Sequence, residues 1–244
     1  MSMLRLLTFN IRGGYDLRGQ RDLRRVHALM DEYDVDIGVF QEMETRPSNG
    51  GTADDIDLLA GPERPYHLPG PTLKEGLGWY GNLLVSRYPI GRAIVHDLET
   101  QKTRPVSEPR NAVDALIKTP HGPVRVIGTH LSLSSVVRWW ELNNLMKLAD
   151  QVDVKNHETE KPPVFFMGDI NEWRWPSKLL QHLDEIMTPL PCGKTFPSFF
   201  LLFRLDRAWS DGPGVKASAR VLKGRNICRL SDHLPVLVEV SDLG

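Results

Sequence analysis

The sequence predicts an α/β (α+β) protein built as a four-layer α/β/β/α sandwich, with two mixed sheets packed face to face and flanked by helices. Three observations lead there. Short apolar runs of strand length recur along the chain, apolar residues at helical spacing lie between some of them, and one strand–helix–strand arrangement occurs twice. Each helical segment has a single apolar face, so the economical packing buries sheet against sheet and lays the helices outside.

The first strand is expected at Leu4–Phe9. Asp22 to Tyr33 follows as a helix, with Leu23, Val26, Leu29 and Met30 on one face, and Ile37–Phe40 closes the first unit before Glu42. Thr45–Gly78 is polar and rich in Gly and Pro, and is expected as a long loop at the mouth of a site, as is Leu98–Pro109. Between them Leu83–Val85 has strand character, and Ala112–Ile117 follows. Val124–Ile127 opens the second unit, Ser135 to Val152 supplies its helix with Leu142, Leu145, Met146 and Leu148, and Val164–Met167 ends it before Asp169. Leu205–Trp209 and Leu234–Val240 bring the expected strands to at least eight. No linker or low-complexity tract interrupts the chain, so one domain is expected over residues 1–244.

Composition narrows the function. With 30 Lys and Arg against 31 Asp and Glu, the net charge of −1 excludes a protein that holds nucleic acid through overall positive charge. Two cysteines, Cys192 and Cys228, are too few for a disulfide framework and have no metal-ligand spacing. The first motif begins almost at Met1, leaving no room for a signal peptide, and no apolar run approaches the ~20 residues that span a bilayer. A cytoplasmic protein without a transmembrane segment is expected.

Chemistry is carried by polar residues at the ends of the apolar runs. LLTFN ends at Asn10, IGVFQE at Glu42, VIGTH at His130, VFFMGDIN at Asp169 and Asn171, FRLD at Asp206, and RLSDH at Asp232 and His233. Strands sharing a direction would bring these ends together, and a side chain just beyond a buried strand is held stiffly enough for a metal site. Carboxylate and amide oxygens without cysteine favour hard cations, Mg²⁺ first and Mn²⁺ second.

The ordered set TFN, QE, GNLLVSRYPI, GTHLS, GDIN, RLDR and SDHLP resembles the endonuclease/exonuclease/phosphatase superfamily, and it runs from TFNIRGG to SDHLPV over essentially the whole chain. The resemblance implies a metal-dependent phosphohydrolase, a phosphodiesterase of nuclease-like type. It implies that Glu42 is the principal metal ligand, helped by Asn10 and Asp232. Asp169 would orient or deprotonate the attacking water, and Asn171 would hold that water or a phosphate oxygen. Asp206 would hydrogen-bond to His233, favouring an imidazolium, and His130 would face the same phosphate. The sequence leaves open whether Asp169 or His233 takes the proton, and whether one metal or two is bound.

The remaining polar and aromatic features are less specific. Arg12 in NIRGG and Arg110 are candidate substrate-phosphate contacts, with Asn111 beside the latter; Asn82 is expected to support a loop, and Cys192 to be a loop residue. Arg18, Arg21, Arg24 and Arg25 read as a solvated helix face, and at least one of Trp139, Trp140, Trp173 and Trp175 as core. Phe196–Phe203 is part strand and core, part exposed rim, suited to a lipid-like leaving group, a protein partner or peripheral membrane contact. It departs from AP-endonuclease-like members, so a phospholipid or inositol-phosphate substrate stands beside nucleic acid. A non-catalytic binding module is the third alternative.

Overall fold

The computed structural model describes residues 3–99, 108–156 and 161–244, with backbone alone over 151–156. The chain order is β1 (Leu4–Asn10), α1 (Arg24–Glu32), β2 (Ile37–Glu44), α2 (Asp55–Ala60), β3 (Tyr66–Glu75), β4 (Gly78–Ser86), β5 (Ile90–Asp97), β6 (Asn111–Thr119), β7 (Gly122–His130), α3 (Ser135–Asn156), β8 (Val164–Asp169), α4 (Lys178–Ile186), β9 (Thr188–Leu190), β10 (Asp206–Asp211), β11 (Val215–Val221) and β12 (Val236–Leu243). The strands form two six-stranded sheets, ordered β11-β12-β1-β2-β4-β3 and β5-β6-β7-β8-β10-β9.

The repeated unit is real at the level of topology. Each sheet has one parallel pair at its centre, β1 with β2 and β7 with β8, and each pair is joined through the expected helix. The neighbours on both sides are antiparallel in both sheets.

Strand alternation sorts the apolar residues into three cores, which define the four layers. On β1, Leu7 and Phe9 meet Val26, Leu29 and Met30 of α1, while Leu4 and Leu6 face the other sheet. Val113, Val126, Phe165, Met167 and Ala208 return that contact from the second sheet, and Ile127, Phe166 and Trp209 pack outward with Leu142 and Leu145 of α3 and Leu180 and Leu183 of α4. Ser177 caps α4 by accepting from Leu180 N at 3.4 Å.

Two expectations are corrected. Thr45–Gly78 is not a continuous loop: Ile56, Leu58 and Leu59 place α2 against α1, and β3 pairs with β4 as an edge strand whose prolines mask the sequence signal. Arg21 is not on a solvated face, because its guanidinium is bidentate to Asp55 (3.0 and 2.7 Å) and also donates to the Gly13 and Glu44 carbonyls. Most of the expected Leu98–Pro109 loop lies outside the described residues.

Candidate active site

The polar residues predicted at strand ends continue the columns of side chains that face between the sheets. Asn10 extends the column of Leu4 and Leu6, His130 that of Val126, and Asp169 that of Phe165 and Met167; register sets His130 beside Asp169 and Asp206 opposite it. The inter-sheet core therefore ends in a polar cluster, and Asn10 crosses it, donating from Nδ2 to Glu42 Oε1 (2.8 Å) and to Asp169 Oδ2 (3.1 Å).

Glu42 reaches the cluster through a backbone irregularity. In regular alternation it would share the face of Phe40, toward α1. The pairing of β2 with β4 slips between Phe40 and Met43, and Glu42 has φ +59°, which turns its side chain to Asn10. Four non-glycine residues have positive φ among the described residues, and three of them are Arg12, Glu42 and Asn171. Such strain concentrates where position matters more than local stability.

The two histidines are held in opposite states. Burial disfavours protonation of His233, but Asp206, whose Oδ2 accepts from Nδ1 at 2.8 Å, and then Asp169 overcome it and push the imidazole up to about 10. His130 is pushed down to about 3 by burial, against the smaller pull of Asp169. Asn171 Nδ2 donates to the Leu131 carbonyl (2.8 Å), which fixes the amide orientation, so its 3.0 Å contact with His130 Nε2 has that nitrogen as acceptor. Both histidines point Nε2 at Asp169 Oδ2, at 3.6 and 3.7 Å. Burial also raises the Glu42 carboxyl, against the Asn10 hydrogen bond and with help from Asp169 and Asp232.

Asp232 is half-buried beside Ser231, whose Oγ donates to the Asn10 carbonyl at 2.8 Å. Arg12 is exposed at an open cleft shared with Glu42, Tyr15 and Tyr80. Arg110 is nearly buried and paired with Glu108 at 3.1 Å, and its charge reaches His130 and Tyr80. Asn82 lies within β4 and does not support a loop; it donates across the sandwich to Asn111 Oδ1 and carbonyl at 2.8 and 3.0 Å. The expectation that at least one of Trp139, Trp140, Trp173 and Trp175 is core is corrected: all four are exposed, Trp175 by 85%.

Tyr80 was absent from the sequence reading. Burial and then the Glu42 charge push its phenol well above the tyrosine range, and Arg110 is its hydrogen-bond partner. Alternation back from Leu84 through Asn82 would have found it. Arg138 and Glu141 were also missed. Glu141 accepts from Ser132 N and Oγ (2.8 and 2.5 Å); Arg138 donates to the Ser132 and Leu133 carbonyls (3.0 and 2.5 Å) and pairs with Glu172 at 3.1 Å. This buried set clamps the segments that follow His130 and Asn171, and no sequence spacing announces it.

Asp169, Asp206 and His233 bring one ligand-type atom each within 4.8 Å of one another. They are poor candidates to share a cation, since Asp206 and His233 already bind each other and His233 is charged. Glu42 is better suited: no Lys or Arg pairs with Glu42, Asp169 or Asp232 among the described residues, leaving a cluster of carboxylates that a hard cation would neutralise.

Carboxylates short of positive charge, a charged histidine and a carboxylate acceptor at one focus are the equipment of a phosphoesterase. The chain belongs to the endonuclease/exonuclease/phosphatase family, whose pattern it matches over residues 7–233, and it is an enzyme of the phosphoesterase class. No curated protein matches it. Among solved structures, an endonuclease/exonuclease/phosphatase from Beutenbergia cavernae is similar with a TM-score of 0.79 at 21% identity, over 100% of this chain and 72% of that one. A mannosyl-6-phosphatase from Bacteroides thetaiotaomicron gives 0.76 at 16% identity, over 97% and 99%. Beta toxin from Staphylococcus aureus gives 0.71 at 18%, over 96% and 99%.

Proposed function

We propose that the enzyme hydrolyses a phosphoester, as a phosphodiesterase of nuclease-like type, with Mg²⁺ or secondarily Mn²⁺ and by in-line attack of water. The observation that carries this reading is the carboxylate cluster of Glu42, Asp169 and Asp232, without a Lys or Arg partner among the described residues, beside the His130–His233 pair with opposite charge preferences. Glu42, with Asn10 and Asp232, would hold the cation, which when bound supplies positive charge to the non-bridging and leaving oxygens.

The protein's own groups then divide the work. Asp169 is the acceptor for the proton of water, because His233 already carries a proton at neutral pH and the Nε2 of His130 is engaged by Asn171. Asn10 and the Asn171 backbone N–H fix the two oxygens of Asp169. The His233 imidazolium, oriented by Asp206, compensates charge on a phosphoryl oxygen. His130 and Asn171 position each other at the same phosphate, and Arg12 and Arg110 bind substrate phosphate.

The test is hydrolysis of bis-p-nitrophenyl phosphate, p-nitrophenyl phosphate and a sugar phosphate with Mg²⁺, Mn²⁺ or chelator, for the parent enzyme, Glu42→Gln and Asp169→Asn. Chelator should abolish the rate. Glu42→Gln should weaken metal binding by calorimetry, whereas Asp169→Asn should keep it and lose roughly 10²–10⁴ in kcat. Turnover indifferent to both chelator and Glu42→Gln would sink the reading. A second reading, that the ester belongs to a phospholipid or inositol phosphate, is favoured by the exposed Phe199 and Phe200, on the segment whose Phe196 ring lies 4.8 Å from the His233 ring. Plasmid nicking measured against headgroup release from vesicles separates the two.

A further inference from the structure

The segment between β9 and β10 folds into a short hairpin whose tip is apolar and exposed. Thr195 N and Phe196 N donate to the Phe203 carbonyl (2.8 and 3.1 Å), and Phe203 N and Leu202 N donate to the Phe196 carbonyl (2.8 and 2.9 Å). Ser198 anchors the tip: its N–H donates to the Asp232 carbonyl at 2.7 Å, and its Oγ lies 2.7 Å from the Ser231 carbonyl. Leu201 tucks into the core of the first sheet. That leaves Phe199, Phe200, Leu202 and Phe203 exposed by 71, 65, 45 and 39%. A tip already ordered in this way loses little conformational freedom on binding.

Charge around the tip points to the partner. No acidic residue occurs from Thr188 to Leu205 or from Gly212 to Ser231. Lys194, Arg204, Lys223 and Arg225 are exposed and form no ion pair among the described residues. They belong to one surface: a side chain at Gly193 would meet Lys223 Nζ at 3.9 Å, and the hairpin rests on residues 228 and 231 through Ser198. An apolar tip inside a basic collar, on a chain of net charge −1, matches a bilayer with anionic headgroups: the tip enters the acyl boundary and the collar meets the phosphates.

We propose that this hairpin docks the protein on an anionic phospholipid surface. Docking would set the active site at the bilayer, since the Phe196 ring at the base of the hairpin lies 4.8 Å from the His233 ring. Exposed Leu133, Trp173 and Trp175 follow His130 and Asn171 and so leave the second sheet at the same end.

The experiment is co-sedimentation with vesicles of phosphatidylcholine, with and without phosphatidylglycerol, in the presence of chelator, so that binding is read without turnover. The parent protein should bind the phosphatidylglycerol vesicles, less so at high salt and weakly to phosphatidylcholine alone. Phe199→Ser with Phe200→Ser should lower affinity roughly 100-fold, and Lys194→Glu with Arg204→Glu roughly 10-fold or more. Circular dichroism and the rate on bis-p-nitrophenyl phosphate should be unchanged in both. Parent protein that ignores anionic vesicles, or binding unaffected by either double substitution, would overturn the proposal. So would a dimer that the phenylalanine substitutions dissociate, or equal binding of a DNA duplex through the same residues. Vesicle binding by a protein that hydrolyses nothing would leave the docking surface standing and remove only the proposed reaction.

Discussion

His130 and His233 end up in opposite charge states because their neighbours differ. His233 has Asp206 on Nδ1 at 2.8 Å, whereas His130 meets a neutral amide and lies 3.6 Å from Asp169. With His233 up to about 10, its proton is retained through neutral pH and lost as pH rises through that value. The rate should therefore hold through neutrality and fall on the alkaline side near 10. Asp206→Asn should move the alkaline limb to lower pH and cut kcat by roughly 10²–10⁴. Stability carries the same sign. The raised histidine contributes fully below its ordinary value of 6.5 and loses that contribution as pH rises through about 10, so the variant should lose more Tm in weak acid than at high pH. A pH–rate profile identical to that of the parent would remove Asp206 from this role. Gly168, one residue before Asp169, is fixed as tightly: its φ is +154°, and a Cβ there would lie 1.9 Å from the Thr129 carbonyl oxygen. Gly168→Ala should cost roughly 2–4 kcal/mol in chemical denaturation and displace Asp169; an unchanged midpoint would contradict the close approach.

At the scale of elements, the site is assembled by strand ends, one bulge and one helix. The bulge in β2 is what aims Glu42, so strand periodicity alone would have put that carboxylate in the α1 layer. Helix α3 contributes more than its apolar face. Arg138 and Glu141, close to its start, hold the Ser132–Leu133 turn and, through Glu172, the segment after Asn171. The Arg138 guanidinium also stacks 5.0 Å from the Trp173 ring centroid. Arg138→Met should keep the helix and its packing volume, lower kcat roughly 10-fold or more with a smaller change in KM, and cost roughly 3–5 kcal/mol because Glu172 is left buried without its partner. Arg138→Lys should restore stability better than rate, since one ammonium cannot serve two carbonyls and a carboxylate in that geometry. Equal kcat in all three proteins would reduce the clamp to a structural pair.

At the scale of the molecule, the site belongs to neither sheet. Asn10 of the first sheet holds Asp169 of the second, and Asn82 holds Asn111 across the same gap. The geometry of the candidate site thus depends on how closely the sheets approach, and Gly128 permits that approach, because a Cβ there would lie 2.2 Å from Val39 Cγ1. Gly128→Val should force the sheets apart, lowering Tm by about 5–10 °C for roughly 2–3 kcal/mol and weakening activity although no functional side chain is touched. An unaltered Tm would mean the sandwich absorbs the added volume elsewhere.

The sequence by itself determined the strand–helix–strand units, the four layers and the strand-end residues from Asn10 to His233, because burial on alternating faces writes apolar periodicity and its polar interruptions directly into the chain. Edge strand β3 and helix α2 were hidden because prolines and polar residues suit exposed edges, where little burial is needed to hold a strand. Only the tertiary structure decided the direction of Glu42, the unequal charge of His130 and His233, and the joining of Tyr80 and Arg138 to the site. These depend on distances between residues far apart in the chain and on the loss of water around them, which local sequence patterns do not record.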